Sequence, residues 1–372
     1  MRGFALCGIL LMNIFQMGGP FAMDRPFAAP SLGDPDWHVW TVAQLFVAGT
    51  MRGLFSLLFG VSLLISIGDD ESADKTRRYL RRMILLLLFG VVDCTLLLWP
   101  GDILVTYALA GFVALLLHPL RTTRLIAAAA VLLIMISAWS AYDARLILPA
   151  QTVYTAAQMA AEGAARLGDY RQSLNYMSRI SWTLTVGSLS YRWIGDALML
   201  MLAGMALYRQ GMFGDDVKER TLWRMLWIGY AVGLALRIVH VALILGNEGG
   251  PTLVSALVDQ PGRVAMTLGH FALLRLLWLC FRASAVKAMF AGMGRMALTL
   301  YLGQSVIGAV LFSGFGLGLW NQFSWPRLWL VALAIMIIEA IFAVLWFKAF
   351  RYGPAEWLWR WATYGTRPGI SL

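Results

Sequence analysis

Nine ionisable side chains fall inside runs that are otherwise apolar: Arg52, Asp93, Arg192, Asp196, Arg237, His240, His270, Arg275 and Glu339. Such a group in a hydrocarbon layer costs a few kcal/mol or more, so it faces a bundle interior or a watery cavity and has a partner. Spacing narrows the partnerships. Arg192 and Asp196 are four residues apart, and Arg237 and His240 three apart, so each pair shares one helix face. Arg52 interrupts "FVAGTMRGLFSLLFG" (Phe46 to Gly60), flanked by Gly49 and Gly53. No acid follows it in that run. Its counter-charge must come from another segment, Asp93 or Asp196, or from an anionic ligand. Any one of these groups serves equally well as polar glue between helices. The set of nine implies a polar cavity, and hence transport of, or chemistry on, something polar.

The elements that would position these residues follow from composition and run length. The chain has 372 residues, 60% apolar and 13% charged, against about 45–50% apolar and roughly 25% charged in soluble globular chains. Apolar runs of about 20 residues recur along it. The expected fold is all-α: a polytopic helical membrane protein in a lipid bilayer, with about ten transmembrane helices. The runs are 2–18, 40–67, 79–99, 102–119, 124–141, 183–208, 222–246, 262–282, 294–318 and 328–349. Connections after even-numbered runs carry the basic residues, among them Lys75, Arg77, Arg78, Arg81, Arg82, Arg121, Arg124, Arg209, Lys218, Arg220, Arg282 and Lys287. This bias predicts cytoplasmic termini, the last at Leu372. Segment 142–182 becomes the main exported feature, one or two amphipathic helices, dividing a single membrane domain (1–372) into 1–141 and 183–372. The stretch 350–366, "FRYGPAEWLWRWATYG", is dense in Trp and Tyr and interrupted by Gly353-Pro354, which predicts an interfacial element.

Other chemistries find little support. There is no H-x-x-x-H, paired C-x-x-C, P-loop or dinucleotide fingerprint, so neither a metal nor a bound nucleotide cofactor is expected. Cys7, Cys94 and Cys280 lie in apolar runs and suggest no disulfide framework. The first run lacks a small-residue cleavage site, so no cleavable signal peptide is expected. The net charge of +10 fits basic cytoplasmic loops better than nucleic-acid binding. There is no convincing internal repeat and no span clearly broken by Gly or Pro, which speaks against a transporter. A transporter of a small polar, anionic molecule nevertheless remains open, because arginines outnumber acids in the spans.

Six ordered motifs are similar to the YeiB-like bacterial membrane proteins: "RGFALCGILLMNI", "GLFSLLFGVSLLI", "WPGDILVTYALAG", "GDALMLMLAGMALYRQG", "GRMALTLYLGQS" and "FRYGPAEWLWRWATYG". The last two resemble the region catalogued as domain of unknown function 418. The family distantly resembles a transmembrane acyltransferase superfamily, which implies an acyltransferase-like bundle in a bacterial inner membrane. It also implies that cytoplasmic acyl-CoA is the donor and a polar molecule on the far side the acceptor. By that resemblance Asn13 stands where a relative keeps a functional asparagine, and Asp34 where it keeps a catalytic histidine. The sequence departs from the family at Asp93, often His, and Leu300, often Asn, and it lacks the Leu-Asp that precedes the first Arg-Gly.

Acyl transfer needs a base near neutral pH and an oxyanion stabiliser. His38 at the mouth of the second span is the first choice of base, with Asp34 or Asp36 as alternatives or orienting partners, and Asn13 would donate to the oxyanion. Arg2, Arg82, Arg275 and Arg295 would meet the phosphates of CoA. Arg52, Asp93, Asp102, Arg192, Asp196, Arg237 and His240 would line the acceptor's path, although Asp102 equally suits a helix N-cap. A homodimer is compatible with all of this.

Overall fold

A computed structural model describes residues 1–21, 25–31, 33–68, 72–146, 155–280 and 284–371, with the side chains of 186 and 188–191 set aside. Arg282, Leu372 and the 147–154 part of the expected exported segment lie outside the described residues.

The regular structure of the described residues is helical, joined by turns and loops, with one isolated bridge between Phe350 and Ser371. The helices are α1 (Arg2–Gly18), α2 (Pro35–Val42), α3 (Thr50–Ile67), α4 (Ala73–Thr95), α5 (Leu104–Leu117), α6 (Thr122–Leu146), α7 (Ala156–Arg166) and α8 (Tyr170–Val186). They continue with α9 (Ser188–Arg209), α10 (Glu219–Gly246), α11 (Leu253–Cys280), α12 (Ala285–Arg295), α13 (Ala297–Phe312), α14 (Trp325–Trp346) and α15 (Pro354–Tyr364). Each of the ten apolar runs coincides with helical residues. Among the described residues, five helical stretches are long and apolar enough to cross a membrane, or six if the α12–α13 pair, bent by 79°, counts as one. Three of the remaining runs fall short for visible reasons. With 17 and 14 residues, α1 and α5 are below the roughly 20 that a bilayer requires, and α4 opens on Arg77, Arg78, Arg81 and Arg82.

Apolar burial holds α1 at the centre, packed against α3, α12, α13 and α14. Around it, α9 crosses α3 closely because Gly60 and Gly204 each lie on the other helix's backbone, where a Cβ would collide with a carbonyl. The outside of the bundle is also apolar. Leu116, Ile134 and Leu330 are 77%, 69% and 66% exposed. A belt of this kind suits hydrocarbon rather than water.

The second run is broken, contrary to the expectation of unbroken spans. After α2 the chain makes a π-helical turn at Ala43–Val47, and Gly49 then takes a left-handed conformation (φ 73°) before α3 begins. Glycine is the residue that adopts this φ freely. A side chain at 49 would also fall on the Arg263 guanidinium packed there. The segment expected to be exported, 142–182, holds α7 and most of α8, each opened by a capping box, Thr155 with Gln158 and Asp169 with Gln172.

Candidate functional site

Among the cavities formed by the described residues, two lie at opposite ends of α1. The smaller, about 240 Å³, lies at the start of α1. Arg2, Arg82, Arg295 and Arg360 line it together with Tyr352, Trp359 and Tyr364, while Leu6, Phe55, Phe59 and Leu86 make its deeper walls apolar. The arginines are set by aromatic faces. The Arg82 guanidinium is 4.7 Å from the Trp359 ring centre and donates to Ser66 Oγ at 2.6 Å. Arg295 lies 4.1 Å from the Phe347 ring and Arg360 4.6 Å from Tyr352. Helix α15 holds this end together. Glu356 accepts from the backbone N–H groups of Leu298 and Thr299 at 2.6 and 3.2 Å, capping the bent start of α13. Burial raises the Glu356 carboxyl above its ordinary range, against the hydrogen bonds from Thr299 and the backbone.

The larger cavity, about 750 Å³, lies at the other end of α1. Asn13, Gln16, Gln44, Arg52, Thr106 and Arg179 supply its polar lining, and Trp40, Trp193 and Trp325 its aromatic walls. The α7–α8 hairpin contributes Gln158, Tyr176, Arg179 and Thr183. Ile9 and Ile103 line both cavities, so an apolar septum separates them. Tyr107, in the smaller cavity's wall, donates to the Arg52 backbone carbonyl at 2.9 Å.

Behind Arg52 runs a ladder of charges. Arg52 reaches Asp196 Oδ2 at 3.4 Å, and Arg263 reaches the same oxygen at 3.3 Å. Arg263 also lies 3.7 Å from Asp259, which pairs with Arg237 at 3.0 Å and stands 3.9 Å from His240. Arg237 is fully buried and donates to the carbonyls of Gln44 and Ala48, satisfying backbone that the break before α3 leaves without helical partners. His270 contacts the Phe46 carbonyl there at 3.1 Å.

Beside the septum, Tyr301 donates to Asp102 Oδ1 at 3.3 Å and accepts from the Ile103 N–H at 3.1 Å. Asp102 also caps α5 by accepting from the Val105 N–H at 2.8 Å. Asp93 is fully buried next to Asp102, and neither of its carboxyl oxygens has a hydrogen-bond partner among the described residues.

The expected residues are thus distributed unevenly. Arg2, Arg82 and Arg295 converge on the smaller cavity, and Asn13 and Arg52 line the larger. Arg275 lies apart, donating to the Gly214 carbonyl at 2.6 Å. Asp34 caps α2 through the Asp36 N–H at 2.9 Å, and Asp36 accepts from the Trp325 N–H at 3.0 Å. His38 is exposed on α2 and lines neither cavity. The expected face-sharing pair Arg192–Asp196 is not made: Arg192 reaches Asp143 on α6 at 3.4 Å, and Asp196 turns to Arg52 and Arg263. Sequence reading missed Arg263, Asp259, Arg179, Tyr301 and Arg360. Arg360 had a legible signal, an arginine set among tryptophans and tyrosines. Arg263 and Asp259 are four apart, the spacing that marked other pairs, but they precede or open the run expected at 262–282.

A family model described as "Protein of unknown function (DUF418)" matches residues 207–366. The C-terminal part of this chain is a DUF418 domain. It includes α10–α15, so it supplies Arg295, Tyr301, Glu356 and Arg360 to one cavity and Arg237, Asp259 and Arg263 to the ladder behind the other. The remaining arginines, Arg2, Arg52 and Arg82, come from the helices before it. Similarity extends over the whole chain. The uncharacterized protein YxaH of Bacillus subtilis (strain 168) is 28% identical over 98% of this chain and 92% of its own length. The uncharacterized protein YeiB of Escherichia coli (strain K12) is 28% identical over 100% and 96%. An uncharacterized 39.9 kDa protein from the amylase 3′ region of Bacillus acidopullulyticus is 27% identical over 100% and 94%. No solved structure matches the chain.

Proposed function

We propose that this protein is a bacterial inner-membrane acyltransferase that accepts acyl-CoA in the smaller cavity and passes the acyl group to a polar acceptor in the larger one. The supporting observation is that two cavities, one lined by four arginines and the other by amides and two arginines, share Ile9 and Ile103 as a thin septum. In this reading all ten helical runs lie in the membrane. The basic-loop bias puts the termini and the arginine cavity in the cytoplasm, with the hairpin over the exported face. Guanidiniums suit phosphates, the rings of Tyr352, Trp359 and Tyr364 suit an adenine face, and the apolar depth suits an acyl chain.

In the reaction, the acceptor's hydroxyl or amine attacks the thioester carbonyl. A C–O or C–N bond forms, the C–S bond breaks, and CoA leaves as the thiol once it takes up a proton. Asn13 would donate to the oxyanion. The acceptor's proton goes to the departing thiolate; His38, Asp34 and Asp102 line neither cavity, so none of them is assigned the part of the base. Titration calorimetry of the purified protein with acyl-CoAs tests the reading. Binding that weakens about tenfold in Arg82→Ala or Arg360→Ala supports it, as expected for loss of one charge-assisted contact. Absence of binding sinks it.

A second reading, a permease for a small anion, draws on one specific observation. The larger cavity has no carboxylate, imidazole or thiol among its described lining residues, while the helix beside it is broken. Broken spans of that kind hold substrate ions in transporters. Uptake of a labelled anion into proteoliposomes without any thioester turnover would favour it.

A further inference from the structure

The ladder behind the larger cavity is not neutral. Among the described residues, Arg52, Arg263 and Arg237 pair with the carboxylates of Asp196 and Asp259, so three guanidiniums meet two carboxylates. The neighbouring Arg192–Asp143 pair adds nothing to the sum. A surplus positive charge inside a membrane bundle calls for an anion or for water. Of the three ladder arginines, only Arg52 lines the cavity. Its side chain keeps 24% of its exposure, whereas Arg263 keeps 12% and Arg237 none.

Arg52 is also the loosest member of the ladder. It shares a single oxygen of Asp196 with Arg263 and engages it through one terminal nitrogen. A guanidinium has five N–H donors, so most of Arg52's capacity is left for the cavity. The surroundings are donors too. The Gln44 side-chain oxygen accepts from Arg237 at 3.4 Å, which turns its NH₂ group away from the ladder. Asn13 and Gln16 line the same space, and Arg179 adds a second cation from α8. The break at Gly49 starts α3 beside Arg52, with no side chain capping that helix end. The positive end of the helix dipole is therefore added to the same side.

From this we infer that the ligand of the larger cavity carries an anionic group, a carboxylate or phosphate, and that Arg52 binds it. The inference rests on the acceptor reading of that cavity and narrows it: the acceptor is an acid or a phosphorylated molecule, not a neutral sugar or an amine. The anionic group has two sources, a soluble small molecule or the headgroup of an anionic lipid.

The test uses the full chain in nanodiscs and needs no acyl-CoA, so it can fail independently of the acyltransferase reading. Thermal unfolding is measured in zwitterionic-lipid nanodiscs against inorganic phosphate and succinate, with glucose and glucosamine as neutral and cationic controls. A parallel arm replaces the lipid with one containing phosphatidylglycerol. Arg52→Gln should fold, because Asp196 keeps Arg263, and Arg220→Gln, exposed on α10 and outside both cavities, serves as the control. The expected result is a saturable rise in Tm with the free anions and none with the controls. Arg52→Gln should weaken it at least about tenfold, the usual consequence of losing a charged hydrogen bond, and Arg220→Gln should leave it intact. A rise confined to the phosphatidylglycerol arm and lost in Arg52→Gln supports the anionic site and makes its ligand a lipid. No response in either arm, an equal response to glucosamine, or a response that Arg52→Gln leaves unchanged overturns the inference.

Discussion

Replacing Arg166 should unlatch the α7–α8 hairpin from the bundle. Arg166 is buried and donates to the carbonyls of Gln16, Met17 and Gly19 at 3.2, 3.0 and 2.8 Å, which are the open end of α1. Its counter-ion, Glu162, is one turn back at 3.2 Å and fully buried, and it also accepts from the Phe21 N–H at 2.9 Å. The pair therefore ties α7 to the end of α1 beside the larger cavity. Arg166→Met removes the guanidinium that pairs with Glu162 and the donor to the Gln16 and Met17 carbonyls, while the Gly19 carbonyl keeps the Trp320 indole. Breaking a buried pair in this way costs about 3–5 kcal/mol. At about 2 °C per kcal/mol for a large chain, that is roughly 6–10 °C in Tm. The double variant Glu162→Gln/Arg166→Met removes both charges, so it should be less damaged than the sum of the single variants. Limited proteolysis supplies a local readout, because a detached hairpin is cleaved well below the global unfolding temperature. The reasoning is refuted if Arg166→Met unfolds within about 1 °C of wild type, or if the double variant equals the sum of the singles.

Three further outcomes are expected. Glu356 is protonated more readily in the folded protein than its ordinary 4.5, because burial disfavours the carboxylate. The folded state thus holds more protons above that value, and stability falls as pH rises from 4.5 through the raised folded value; Glu356→Gln should flatten that slope in a pH series of Tm. Gly49→Ala must hold a left-handed φ and displace the Arg263 guanidinium, at about 1–3 kcal/mol, so a Tm equal to wild type would show that the break is not needed. His38→Ala should leave both acyl-CoA binding and any acyl transfer unchanged, and a lost activity with intact binding would restore His38 as the base.

Composition and run length by themselves determined the all-helical membrane character. A bilayer allows few solutions to backbone hydrogen bonding, so twenty apolar residues in a row already specify a helix and its solvent. The basic residues grouped at one end were equally legible, since Arg2, Arg82 and Arg295 flank helix starts and ends that periodicity locates. The partners of the charges were not legible. Sequence spacing offered Asp196 to Arg192, but in three dimensions Arg52 and Arg263, from two other helices, compete for it, while Asp143 takes Arg192. A local i,i+4 contact on a helix surface is worth only a few tenths of a kcal/mol, and packing between helices overrides it easily. The break at Gly49 was hidden for a related reason. A π-turn and one left-handed glycine leave no mark on hydropathy, and the freed carbonyls are answered by Arg237 and His270 from helices about two hundred residues later in the chain. The same holds for His38 and Asp34, whose types invite chemistry. Only the course of α2, capped by Asp34 and joined to α14 through Asp36, leaves His38 outside the cavities described and puts Asp34 in a separate one of about 270 Å³ that shares Phe15 and Trp325 with the larger.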